Sequence, residues 1–88
     1  MNWEIRYRSS VEKDVDRLPV GVRSFVLRAL AQLAADSFPE GFKKLKGSES
    51  RFRLRVAGSY RIVYKVFQVE RLIKIEFVGH RKDAYRWF

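Results

Sequence analysis

From Arg51 to Val56 the chain reads Arg-Phe-Arg-Leu-Arg-Val, a pattern that leaves little choice of local structure. A strand points alternate side chains to opposite faces, whereas a helix would scatter these six around its circumference. Strand geometry gathers Phe52, Leu54 and Val56 on one apolar face and Arg51, Arg53 and Arg55 on the other. The segment therefore predicts a sheet with a core on one side and a row of guanidinium groups on the other. The charge balance points the same way. Residues 1–42 carry 6 Lys and Arg against 6 acids, and residues 43–88 carry 13 against 4, so the second half holds the whole net charge of +9. A polyanion is the natural partner of such a face, and nucleic acid is the commonest one.

A chain of 88 residues implies one domain, residues 1–88. Its 47% hydrophobic and 15% aromatic content predicts a packed core and argues against disorder. There are no cysteines, which excludes disulfides and Cys-based zinc sites. The single His80 and the scattered carboxylates suggest no metal-ligand cluster. No apolar run approaches the roughly 20 residues of a membrane span. Met1-Asn2-Trp3-Glu4 is not the start of a signal peptide. The expectation is a soluble, cytoplasmic protein without a membrane partner.

Trp3, Ile5 and Tyr7 alternate with Glu4, Arg6 and Arg8 as in a half-buried strand. Ser9 and Glu12 have capping-box spacing, and Val11, Val15 and Leu18 follow with helical spacing, predicting a short helix over Ser10–Leu18. Pro19 suits the first turn of a second helix. Val22, Phe25, Val26, Ala29, Leu30 and Leu33 form its apolar stripe, and residues 37–41 end it. Residues 42–50 read as a Gly- and Lys-rich loop. Strands follow over Arg51–Ala57, Tyr60–Phe67 and Leu72–Val78, with tight turns at Ala57-Gly58-Ser59 and Gln68–Arg71. Ile73, Ile75 and Phe77 are expected on one face, and Gly79 as a break after the last strand. The fold class is α+β: an N-terminal strand, a helical hairpin, a three-stranded antiparallel meander and a short C-terminal tail or helix. The helices cover one sheet face and leave the arginine face open. The first strand, returning through the hairpin, can lie parallel to another.

Four blocks carry a resemblance: Lys44-Leu45-Lys46-Gly47, Phe52-Arg53-Leu54-Arg55, Gly58-Ser59-Tyr60-Arg61-Ile62-Val63-Tyr64, and Val78-Gly79-His80-Arg81-Lys82-Asp83-Ala84-Tyr85. In this order they resemble the RelE/ParE superfamily of toxins from toxin–antitoxin pairs, and the order of elements agrees over nearly the whole chain. The resemblance implies one of two activities. RelE-like members cleave mRNA in the ribosomal A site with no metal or other cofactor: the ribose 2′-OH attacks the adjacent phosphate and leaves a 2′,3′-cyclic phosphate. ParE-like members inhibit DNA gyrase and do not use the basic site. It also implies a cognate antitoxin protein as partner, besides the ribosome and mRNA.

By resemblance, Arg61, Arg81, Tyr85 and the neighbouring His80 are the catalytic candidates. Arg51, Arg53, Arg55, Lys44 and Lys46 are the RNA-binding candidates. The best-known RelE pattern has Lys at the positions of Arg53 and Arg55, and another basic residue where His80 stands. Arginine clamps phosphate oxygens bidentately and stays protonated, which suits Arg61 and Arg81 to an anionic transition state. Arg53 and Arg55 are poor bases for the same reason and would hold the RNA backbone. The general base is then His80 or Tyr85, and Tyr85 could equally stack on a nucleobase. The joint presence of these residues favours the nuclease over the gyrase inhibitor. Plainer roles stand beside these: the arginine row as a solvated face, His80 as structural, Lys43, Lys44 and Lys46 as loop solvation, and Trp87 and Phe88 packed on the core or on a partner.

Overall fold

A computed structural model describes residues 3–87; Met1, Asn2 and Phe88 lie outside the described residues. The elements are β1 (Glu4–Tyr7), α1 (Val11–Asp16), α2 (Val20–Ala35), β2 (Phe42–Lys44), β3 (Arg51–Val56), β4 (Tyr60–Phe67), β5 (Leu72–His80), α3 (Arg81–Ala84) and a 3₁₀ turn, Tyr85–Trp87. The five strands form one sheet in the order β1-β5-β4-β3-β2. β3, β4 and β5 make the expected meander. The helical hairpin returns β1 parallel to β5, with Glu4 opposite Leu72 and Tyr7 opposite Ile75. Among the described residues no helix is long and apolar enough to cross a membrane.

The main core lies between the helices and one sheet face. Val26, Leu30 and Leu33 of α2 and Val11 and Leu18 meet Leu54, Val56, Ile62, Tyr64, Val66, Ile73, Ile75 and Val78. Phe25 departs from the expected stripe: it is half exposed, with Arg28 over its ring. The Ser9–Glu12 capping box is also absent. Helix α1 begins one residue later, with Ser10 as N-cap in a helical conformation and no side-chain cap bond. Pro19 stands just ahead of α2 as its N-cap, and its carbonyl accepts from the N–H groups of Val22 and Arg23.

Two departures in the sheet shape the far face. Residues 42–44, expected in a loop, form an edge strand antiparallel to β3, with Lys43 opposite Arg53. Phe42 meets Phe38 and Phe52 with ring centroids 5.1 and 6.0 Å apart, and this aromatic contact anchors the edge. The second departure is a β-bulge. Tyr64 pairs with Ile75 but Val63 pairs with Phe77, so Glu76 is the extra residue of β5. The bulge reverses the alternation, because one inserted residue moves all that follow to the opposite face. Phe77 therefore leaves the face of Ile73 and Ile75, and Val78 enters the main core instead.

On the far face Phe77 joins Val63, Leu45 and Ala84 in a second cluster, covered by Trp87. The arginine face is thus half roofed by the C-terminal turns rather than left wholly open. Gly79 also differs from expectation. It lies within β5, and a Cβ there would sit 2.6 Å from Cζ of Phe77, so the missing side chain makes room for the ring.

Tyr64 ties the layers together. It is fully buried, and its hydroxyl donates to the Ser37 carbonyl at 2.9 Å. Burial, and secondarily Asp36, raise its pKa above the ordinary tyrosine value. The folded state therefore holds the phenolic proton more tightly than the unfolded chain. Its contribution is complete below about pH 10 and declines as pH rises beyond that. Tyr64→Phe is expected to cost about 1–2 kcal/mol at neutral pH, since it orphans the Ser37 carbonyl. It should also flatten the alkaline loss of stability, measured by denaturant titrations at pH 8 and above.

Candidate nucleic-acid interface

The second-half arginines converge through strand register. Arg55 of β3 lies directly opposite Arg61 of β4, and Arg61 opposite Gly79 of β5. One step along, Lys43, Arg53, Val63 and Phe77 form the neighbouring row. Arg61 is therefore flanked by basic residues on one side and by a glycine without a side chain on the other. Gly41, Phe42, Lys43, Arg53, Arg55 and Arg61 line a cleft of about 240 Å³ on this face.

Arg61 is the centre of the cluster and only 9% exposed. Its Nη1 donates to the carbonyls of Gly58 and Tyr60, both at 2.9 Å. The β3–β4 turn presents the Gly58 carbonyl because Ala57 and Gly58 both take positive φ, 50° and 77°. Glycine enters that region without a Cβ penalty. The Arg61 Nε is buried without a hydrogen-bond partner. Burial lowers the Arg61 pKa, and the charges of Arg53, Arg55 and Arg81 lower it further, while Tyr85 acts in the opposite sense. The guanidinium stays protonated at neutral pH all the same. The result is a concentrated positive field with an aromatic hydroxyl at its border, and an anion entering it would relieve the mutual repulsion.

Arg81 opens α3, and its backbone N–H donates to the Ser59 carbonyl at 2.8 Å, fastening α3 to the same turn that holds Arg61. Tyr85 begins the 3₁₀ turn and is 56% exposed. Arg53, Arg55, Arg61, Arg81 and Tyr85 are therefore brought together.

His80 is placed elsewhere. It pairs with Tyr60, one residue out of phase with Arg61 and Gly79, so its ring lies on the opposite side of the strand. There it meets the Tyr60 ring edge-on at 5.4 Å and borders a cleft with Leu18 and Pro19. Its Nδ1 accepts the Lys82 N–H at 3.1 Å as the N-cap of α3.

Of the loop lysines, Lys44 pairs with Phe52 and so points away from the arginine row, and Lys46 lies in the exposed turn after Leu45. Lys43 is the lysine on the row, and its place follows once Phe42–Lys44 is read as an alternating strand. Arg51 is drawn off to Glu76, donating through Nε to one carboxylate oxygen and through Nη2 to the other. Among the described residues, no group of three or more His, Cys, Asp or Glu could hold a metal ion.

No protein-family model matches the chain. RelE1 of Methanocaldococcus jannaschii is 28% identical over 89 residues, covering 98% of both chains. The RelE–RelB complex of the archaeon Pyrococcus horikoshii superposes with a TM-score of 0.78 at 26% identity, over 92% of this chain and 97% of that one. The likeness to RelE toxins, in sequence and in fold, extends over nearly the whole chain. A variant of E. coli toxin RelE in the free state has the same fold, with a TM-score of 0.80 at 20% identity over 99% and 92% of the two chains. In this RelE-like chain, the arginines quoted for the superfamily stand on β3, on β4 and at the start of α3, with Arg53, Arg55 and Arg61 lining one cleft and Arg81 within reach of Arg61.

Proposed function

We propose that this protein is the toxin of a toxin–antitoxin pair and that it cleaves ribosome-bound mRNA. The observation that carries the reading is Arg61, nearly buried and hydrogen-bonded to its own turn, in the joint field of Arg53, Arg55 and Arg81 with Tyr85 alongside. Attack of a 2′-OH on the adjacent phosphorus forms the new P–O bond and breaks the bond to the 5′-oxygen. Negative charge rises on the phosphate meanwhile. Fixed guanidinium groups stabilise that charge without reorganising, which is the main source of catalysis in such sites. Arg53, Arg55 and Lys43 hold the RNA backbone, and Arg61 and Arg81 face the reacting phosphate. Tyr85 is the proton-transfer group on this face, since His80 points away and spends its Nδ1 on the α3 cap. The net charge of +9 suits association with a polyanion as dense as the ribosome and predicts strong salt dependence.

An antitoxin partner is supported by the Pyrococcus horikoshii chain, which is bound to RelB. Val20, Phe25 and Leu27 of α2 and Tyr7 of β1 are exposed here, and such apolar residues on the hairpin and sheet edge suit a docking helix or strand.

The test is primer extension on an mRNA incubated with purified ribosomes and this protein. Cuts within A-site codons, seen only when ribosomes are present, are the expected result. His80→Asn, which keeps an N-cap side chain, should cut at close to the wild-type rate. A message left intact would sink the nuclease reading and direct attention to gyrase, checked by a supercoiling assay.

A further inference from the structure

Tyr85 sits on a three-residue turn at the border of the cluster, and what holds that turn lies on its far side. Trp87 closes the second apolar cluster, its ring 6.3 Å from that of Phe77. Two guanidinium groups stand over the indole: Arg8 at 5.4 Å from β1's end and Arg51 at 5.8 Å from β3. The indole Nε1 is buried and has no hydrogen-bond partner, so ring contacts rather than a polar anchor place it. Arg51 is itself fixed by Glu76, the bulge residue, whose side chain is 8% exposed. Beside the ring lies a cleft of about 490 Å³ lined in part by Lys13, Asp14, Arg17 and Arg86. An unclamped indole has room to swing into it. On the other side of Tyr85, Ala84 is fully buried.

We propose that Glu76, Arg51 and Trp87 form a clamp that positions Tyr85 in the catalytic cluster, so that Arg51 serves the reaction from behind rather than as an RNA contact. The inference rests on the nuclease reading, because Tyr85 is the proton-transfer group only there. The bulge gives the clamp its logic. The extra residue turns the Glu76 carboxylate toward Arg51 on β3 across the sheet, and the same insertion brings Phe77 under the indole. Without Glu76, Arg51 loses the partner that orients its guanidinium over the indole, and one of the two cations that flank the ring is no longer held in place. A small misplacement of a reacting group can cost up to about 100-fold in rate.

The experiment labels the four tyrosines as 3-fluorotyrosine, assigns Tyr85 by Tyr85→Phe, and compares wild type with Glu76→Gln, Trp87→Ala and Trp87→Phe. In the folded Glu76→Gln and Trp87→Ala proteins, the Tyr85 fluorine resonance is expected to shift and narrow toward the free-chain position while those of Tyr7, Tyr60 and Tyr64 stay. The saturating cleavage rate should fall about 10- to 100-fold with the half-saturating ribosome concentration unchanged. Trp87→Phe should retain most of both signals. Arg51→Ala should lower the rate and leave the salt dependence of binding as it was. A Tyr85 resonance that stays in place in both variants, or one that moves without loss of rate, overturns the clamp. So does an Arg51→Ala protein that keeps its saturating rate but loses about one unit of salt slope, the mark of a phosphate contact. Wild-type protein that cuts no message overturns the nuclease reading instead, and the fluorine spectra still decide whether the clamp exists.

Discussion

Arg81→Ala is expected to slow A-site cleavage by roughly 100-fold while leaving the fold intact. The side chain lies on the surface at the start of α3, and the contact that fastens α3 to the β3–β4 turn is its backbone N–H, which alanine retains. In the proposed chemistry, what is lost is one preorganised cation facing the phosphate, worth about 3 kcal/mol of barrier in comparable sites. Arg61→Ala should cost the rate at least as much, with a different effect on stability. It strips the Gly58 and Tyr60 carbonyls of their donor but also relieves the repulsion among Arg53, Arg55 and Arg81. These effects oppose one another, so the melting temperature should move far less than the rate. Arg61→Lys keeps the charge without the fork and should fall between wild type and alanine. The measurement is single-turnover primer extension at saturating ribosome, with the melting temperature of each variant recorded. Wild-type rates in both Arg81→Ala and Arg61→Ala would remove the basis of the proposed chemistry.

Phe77→Ala is expected to be the most destabilising single change on the far face, by about 3–5 kcal/mol. The ring is 4% exposed and carries the second cluster, with Trp87 on one flank and Arg86 5.5 Å above it. Removing it leaves Val63 and Leu45 facing a void and takes the floor from under the indole. A domain of this size is stable by only about 5–10 kcal/mol, so the change consumes much of the margin. Phe77→Leu refills most of the space and should cost under about 1.5 kcal/mol. Guanidinium chloride titrations of the three proteins test this. A loss below 1 kcal/mol in Phe77→Ala would mean that the cluster is packing without consequence.

How much of this was legible beforehand depended on the kind of signal. Strict alternation made β3 and β4 readable, because Phe52, Leu54, Ile62 and Tyr64 each carry a burial preference that repeats every second residue. The same regularity misled at β5. Ile73, Ile75 and Phe77 alternate faultlessly in sequence, yet the bulge at Glu76 lies between the second and third of them. Nothing local marks that bulge; it is set by the partners Val63 and Tyr64 and by Arg51, twenty-five positions away. β2 was missed because three residues with two lysines carry no strand signal of their own, and the Phe38, Phe42 and Phe52 contacts that stabilise it are tertiary. The arginine cluster was legible because Arg53, Arg55 and Arg61 are in phase on adjacent strands. The exclusion of His80 was not, since it needed the pairing of Tyr60 to show which way the ring faces.

The parallel pairing of β1 with β5 joins the first strand of this sheet to be synthesised to the last of its five. Residues 4–7 have no sheet partner until residues 72–75 have been synthesised and released from the exit tunnel. Before that point a nascent chain holds the helical hairpin and part of the meander, but neither the β5 edge that receives β1 nor the support for Tyr85. The cluster therefore cannot be complete until Arg81 and Tyr85 have followed β5 out of the tunnel. A truncated translation product ending before β5 is expected to be unable to complete the sheet, and so to be harmless.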